Sequence, residues 1–352
     1  MVSFYTLPDR EQAAALARLA DVAGASWAGG LHRLELVKYR ENAVFSAELA
    51  TGRRVAVRVH RHAYHSPAAV ISELEWMRSL HDVDGFTVPP VVSAADGSLV
   101  VEAAHPGVPE PRQVTVLGWL SGRPAGTSEA GVDLAEGDAV RLFADAGRLA
   151  ARLHRHTATW VLPQGFTRPA WDADALVGEH PRWGRFWEYG ALTDAERDLL
   201  VRARDRARAD LLALGRHDGY GLIHADLVPE NILVDGGELQ LIDFDDAGHG
   251  WYLFELATAL YFHLDQSCFD ALRAALLSGY RSERDLAADD ERLLPLFLYL
   301  RGTTYLGWVQ SRPETGTAKE FGPALRALAC RAAEDYLTAA SPVPTPRRQP
   351  SP

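Results

Sequence analysis

Residues 222–246 read LIHADLVPENILVDGGELQLIDFDD. Five aspartates (Asp226, Asp235, Asp243, Asp245 and Asp246) and one asparagine, Asn231, crowd around two short apolar runs. Carboxylates set close together repel one another, so a cluster on buried strands calls for a cation among them. The runs at 232–234 and 239–242 each suit a short strand, and DGGE between them has the residues of a tight turn. The resulting hairpin brings Asn231 and Asp243 toward one end. An amide oxygen and a carboxylate are hard ligands suited to Mg2+, which takes its remaining ligands from water and phosphate.

The spacing His-x-Asp-x-x-x-x-Asn, with a further aspartate twelve residues after Asn231, is that of the catalytic loop and metal-binding segment of the protein-kinase-like fold. Asp226, just ahead of the first strand, then points into a cleft and accepts the proton of an attacking hydroxyl. His224 fixes the loop through hydrogen bonds. Asp235 reads as a turn residue and Asp246 as a brace for the loop, while Asp245 is either a support or a weak metal ligand.

Outward from this stretch the chain changes character twice. Residues 31–60, LHRLELVKYRENAVFSAELATGRRVAVRVH, alternate and are broken by ATGRR, the pattern of antiparallel strands. Ser66 and Pro67 open a helix as N-cap and first helical residue, and TVPPVVSAADGSLVVEA and VTVLGWL read as further strands. From about Asp133 the apolar period is helical, in DAVRLFADAGRLAARLHRHT and again in TDAERDLLVRARDRARADLLALG, and HGWYLFELATALYF reads as a core helix with its preceding loop. The expected class is α+β with two lobes: an N-terminal helix over 1–25, a β-rich lobe over 26–120, a mostly helical lobe over 121–340, and a disordered proline-rich tail over 341–352.

Composition removes several classes of function. A net charge of −11 with no basic stripe argues against nucleic acid. No apolar run is long enough to span a membrane. Two cysteines, Cys268 and Cys330, make neither a disulfide framework nor a zinc set and fit a reducing, cytoplasmic setting. The start, MVSFYTLPDREQAAALARLADVAG, reads as an amphipathic helix rather than a targeting signal. Lysine occurs only at Lys38 and Lys319, so arginine must do most cationic work.

GLIHADLVPENILV, LIDFDDAGHGWYLFELATAL, RENAVFSAEL and GRLAARLH together resemble the aminoglycoside phosphotransferase and choline kinase family, nearest its stress-response-kinase and homoserine-kinase-like branch, over most of residues 30–310. The resemblance implies a bilobed protein-kinase-like fold, with an antiparallel sheet and a helix in the first lobe and helices in the second. It also implies transfer of the γ-phosphoryl group of ATP, with Mg2+, to a hydroxyl. In VAVR, Ala56 and Arg58 share a strand face, so that Ala56 admits adenine beside it and Arg58 reaches the phosphates where the family pattern has lysine. Glu73 stands where that cation's acidic partner falls, with Glu75 as the rival. There is no glycine-rich phosphate loop; YRENAVF occupies its place, with Asn42 near the phosphates. VLGWL resembles the hinge that meets adenine through its main chain at Gly118 and Leu120. Glu255 stands where aspartate is common and is expected to keep a structural salt bridge.

The irregular segment over 160–187 either lines the acceptor site, with Trp171, Asp172 and Trp183 as the residues of interest, or only packs its lobe. Three classes stay open: a kinase for a small hydroxyl compound, a Ser/Thr protein kinase, and a nucleotide-binding regulator without turnover. Only FDDAGHG separates Asp243 from the next helix, which leaves little room for a peptide platform and favours the first.

Overall fold

The computed structural model describes residues 4–339 apart from 82, 84, 128–130, 133 and 217. The expected tail over 341–352 lies outside the described residues. The chain forms two compact units. The first takes the chain up to Arg123 together with Val161–Arg168 and Gln240–Asp245; the second takes the rest.

The first unit opens with α1 (Asp9–Gly24), followed by β1 (Leu31–Tyr39), β2 (Ala43–Leu49), β3 (Arg54–Val59), α2 (Pro67–Leu80), β4 (Val101–Ala103) and β5 (Arg112–Gly118). The strands form one antiparallel sheet in the order β1-β2-β3-β5-β4. Alternation in β3 sends Val55, Val57 and Val59 into a core with Phe45, Val114 and Val116 of the sheet, Leu16 and Leu19 of α1, and Trp27 of the connection that follows α1. Each such side chain contributes about 1.5–3 kcal/mol by burial. α1 is therefore part of this unit and not a separate N-terminal segment. Ser66 caps α2 by accepting from the Ala69 N–H at 3.2 Å, with Pro67 at the first position. The expectation of full strands between 87 and 103 fails: only β4 forms there, beside isolated bridges at Thr87 and Val91, because Pro89 and Pro90 withhold ladder donors.

The short β6 (Arg123–Pro124) leads to α3 (Glu136–Thr159), β7 (Ala170–Trp171), α4 (Ala173–Val177) and α5 (Asp194–Leu214). Then come β8 (Tyr220–Ile223), β9 (Ile232–Asp235), β10 (Glu238–Leu241) and β11 (Gly248–Trp251). The helices α6 (Tyr252–Tyr261), α7 (Phe269–Arg281), α8 (Ala288–Glu291), α9 (Leu294–Ser311) and α10 (Gly316–Thr338) complete the chain. Gly236 and Gly237 turn β9 into β10 with φ of 59° and 95°, the left-handed pair that a two-residue hairpin of this hand requires. In the second unit β11 runs between β7 and β8. α6 is buried along its whole length, and α9 packs on α6 and α10. α3 and α7 cross closely at two glycines: a Cβ on Gly147 would lie 2.0 Å from Leu276 O, and one on Gly279 1.9 Å from Ala144 O. Among the described residues no helix is long and apolar enough to cross a membrane.

Candidate active site

In the first unit β3 carries Arg58 and α2 carries Glu73, and both are buried. Their side chains form an ion pair. Glu73, not Glu75, is thus the partner of Arg58. Arg58 also lies 4.0 Å from Asp243 and 3.8 Å from Asp245. Burial would lower the pKa of its guanidinium, but the carboxylates of Glu73, Asp245 and Asp243 reverse that and raise it, so its charge is fixed. Burial pushes the Asp245 carboxyl up to about 7 against the pull of Arg58. Asp243, by contrast, is exposed and, two residues beyond β10, holds φ 66° in the left-handed region.

A second arginine completes this cluster. Arg168 donates to Glu73 Oε2 at 3.4 Å, to Ala69 O at 3.1 Å, and to the carbonyls of Phe244 and Asp245 at 3.2 and 2.5 Å. It ties α2 to the backbone that follows Asp243. The acceptor-side segment of the sequence reading is therefore divided, its residues 161–168 belonging to the first unit. Ala56 is half-buried on the face of β3 away from the valines. Asn42 spends its amide oxygen on the Arg61 backbone N–H at 3.0 Å, which braces the β1–β2 turn. Gly118 donates its N–H to Pro90 O at 2.6 Å and so cannot offer it to a base; Leu120 follows beyond the strand.

In the second unit the turn after β8 carries His224, Ala225 and Asp226. Glu255 of α6 accepts from the backbone N–H of His224 at 2.8 Å and of Ala225 at 2.7 Å. Burial pushes the Glu255 carboxyl up, but His154, 3.7 Å away, and these N–H groups more than offset that and hold it below the usual range. Burial lowers the pKa of the His154 imidazole, so in place of the expected salt bridge Glu255 forms a clamp on the loop backbone. His224 Nδ1 accepts from the Asp226 N–H at 3.3 Å. Asn231 Nδ2 donates to Asp226 O at 2.9 Å and to Asp226 Oδ2 at 2.7 Å, which leaves the amide oxygen to face a cation. The other Asp226 oxygen accepts from Arg301 of α9 at 2.6 Å.

The three aromatic and acidic residues singled out for the acceptor part company. Trp171 is fully buried against Phe254 and Trp183, donating to Asp246 O at 2.9 Å. Asp246 thereby braces the loop through its carbonyl. Asp172 caps α4 through Ala175 N at 3.1 Å and pairs with Arg216 at 3.1 Å. Trp171 has no exposed surface to offer an acceptor, and Asp172 spends its carboxylate on the α4 cap and Arg216. Trp183 alone of the three joins the group around Asp226, its ring 5.4 Å from the Arg301 guanidinium. Arg168 and Arg301 are functional-site residues that no motif in the sequence marks. Arg301 had a visible signal: it interrupts LPLFLYLRGTTYLGWVQ, where a lone cation in an apolar helix must find a buried partner.

An antiparallel sheet with a buried cation and glutamate, and a helical unit presenting His-x-Asp-x-x-x-x-Asn, define a kinase-like phosphotransferase. Residues 34–296 match the model of the phosphotransferase enzyme family, and the chain belongs to that family. It is similar to the microcompartment-associated aminopropanol kinase at 34% identity, over 91% of this chain and 97% of that one, with a TM-score of 0.79. It is 25% identical to the amicoumacin kinase of Bacillus subtilis (strain 168) over 71% of this chain and 72% of that protein. The homoserine kinase of Mesorhizobium japonicum is 33% identical over 56% of this chain and 62% of that protein. The chain is an ATP-dependent kinase that phosphorylates a small-molecule hydroxyl group.

Proposed function

We propose that this chain phosphorylates the hydroxyl of a small amino alcohol, with Asp226 as the base. The observation that carries the reading of the site is the Asp226–Asn231 pair. Asn231 commits its amide nitrogen to Asp226, so a base and a ligand oxygen are held in one fixed relation. Asn231 and Asp243 would hold Mg2+, whose preference is for such oxygen donors. Bound there, Mg2+ neutralises charge on the nucleotide phosphates. Arg58, kept charged by Glu73, supplies a fixed cation for the phosphates, and Ala56 and the main chain near Leu120 receive the base. Asp226 orients the acceptor hydroxyl and takes its proton as the phosphoryl group transfers.

Similarity at 34% identity over nearly the whole of both chains to an aminopropanol kinase supports the amino alcohol class. A protonated amine also suits an acidic chain of net charge −11. β11 begins at Gly248 and α6 at Tyr252, so the stretch after Asp243 runs directly into a strand and leaves no platform for a peptide. Two thiols without a disulfide fit a reducing cytoplasm.

The test is ADP release with ATP and Mg2+ on a panel of 1-amino-2-propanol, ethanolamine, homoserine and Ser/Thr peptides, with Asp226→Asn as control. Amino alcohols are expected to give the highest kcat/KM, and Asp226→Asn to lower it by about 10²-fold or more. Preferred turnover of homoserine or peptide would overturn the acceptor class.

A further inference from the structure

Arg301 lies midway along α9 with no solvent exposure. Its Nη1 donates to the Ala225 carbonyl at 3.0 Å and its Nη2 to Asp226 Oδ1 at 2.6 Å, and Nη2 also reaches the Tyr305 hydroxyl. The rings of Tyr305, Trp183 and Phe254 surround the guanidinium at 4.1, 5.4 and 5.7 Å. A charge removed this completely from water is strongly unfavourable unless it is paired and hydrogen-bonded. Here, besides Tyr305 of its own helix, its partners are two successive residues of one loop.

That loop needs holding. Ala225 sits at φ 64°, in a region that disfavours any side chain. Its peptide neighbours are gripped from two sides: Glu255 Oε2 accepts the Ala225 N–H, and Arg301 donates to the Ala225 carbonyl. The Asp226 carboxylate is fixed in the same way, one oxygen by Arg301 and the other by Asn231. Each carboxylate oxygen keeps a lone pair for a further donor.

We propose that Arg301 is a positioning residue for phosphoryl transfer, one that sets the orientation of Asp226 and, with Glu255, keeps Ala225 in the conformation that presents it. This rests on the reading of Asp226 as the base. Arg301 is sealed beneath three rings and meets no reactant, so its loss weakens the alignment reached in the transition state rather than the binding of nucleotide.

The experiment compares Arg301→Met, Arg301→Lys and Asp226→Asn with the wild-type chain by steady-state ADP release from MgATP. It uses 1-amino-2-propanol as acceptor, and also water alone. Arg301→Met is expected to lower kcat by roughly 30- to 100-fold while the apparent KM for ATP stays within about twofold. Arg301→Lys is expected to recover part of the loss, since one ammonium reaches Asp226 but cannot span to the Ala225 carbonyl as well. Wild-type turnover by Asp226→Asn would remove the base itself, whatever Arg301 does. An inactive Asp226→Asn beside wild-type kcat in both Arg301 variants would overturn the positioning role alone. Should Arg301→Met fail to fold by circular dichroism, Arg301→Lys decides. An unchanged kcat, or a loss confined to the KM for ATP, overturns the proposal. If 1-amino-2-propanol is not turned over, the same comparison is read from the rate with water.

Discussion

Glu73 receives two guanidiniums, and they do different things. Arg58 faces the aspartates after β10, while Arg168 spreads over Glu73 and three backbone carbonyls. Arg168→Met strands those carbonyls and halves the neutralisation of Glu73. We expect it to cost about 3–5 kcal/mol in urea unfolding. Arg58→Lys keeps the charge but loses the fork, so stability should change by about 1–2 kcal/mol while the apparent KM for ATP rises several-fold. An Arg168→Met chain as stable as wild type would show that the carbonyls find other donors. The contrast also shows what a reader of the sequence can and cannot see. Alternation in VAVR placed Arg58 on a definite face. The spacing of the family pattern favoured Glu73 over its rival Glu75, two residues on and facing another way along the same helix, and the ion pair falls on Glu73. Arg168 was hidden altogether: it lies in a connection without period, and its partners Glu73 and Asp245 are 95 and 77 residues away.

Elements were most legible where their signals are local. Ser66 and Pro67 mark the start of α2 because the cap is made within one turn, and the Gly-Gly pair marks the hairpin because the turn itself demands positive φ. Packing between elements left no comparable trace. α3 and α7 approach until each glycine of the Gly147 and Gly279 pair lies against the other helix's backbone, yet neither glycine looks special in its own helix. Carbonyls cannot swing aside as flexible side chains do, so a methyl group at this crossing must push the helices apart. Gly279→Ala is expected to destabilise by about 1–3 kcal/mol or more despite its better helix propensity. Thermal or urea unfolding checks it. A variant stabilised by the propensity gain of about 1 kcal/mol would mean that the helices separate freely.

At the scale of the molecule, the first unit is not a continuous piece of chain. It borrows Val161–Arg168 and Gln240–Asp245, and with them Arg168, the Leu241 N–H that donates to Thr87 O at 2.9 Å, and both aspartates facing Arg58. A fragment ending at residue 123 keeps the whole five-stranded sheet but leaves the buried Arg58–Glu73 pair without these companions. We expect that fragment to lack cooperative unfolding and to give poorly dispersed amide resonances, whereas the full chain shows both signs of order. A well-dispersed spectrum from the fragment would show that the sheet and α1 suffice. The same interleaving bears on synthesis. As the polypeptide leaves the ribosome, the first unit cannot settle into final form when its own last strand emerges, but must wait for more than a hundred further residues. Until then its charged interior stays incomplete and open to chaperones, so the order of birth along the chain is not the order of folding.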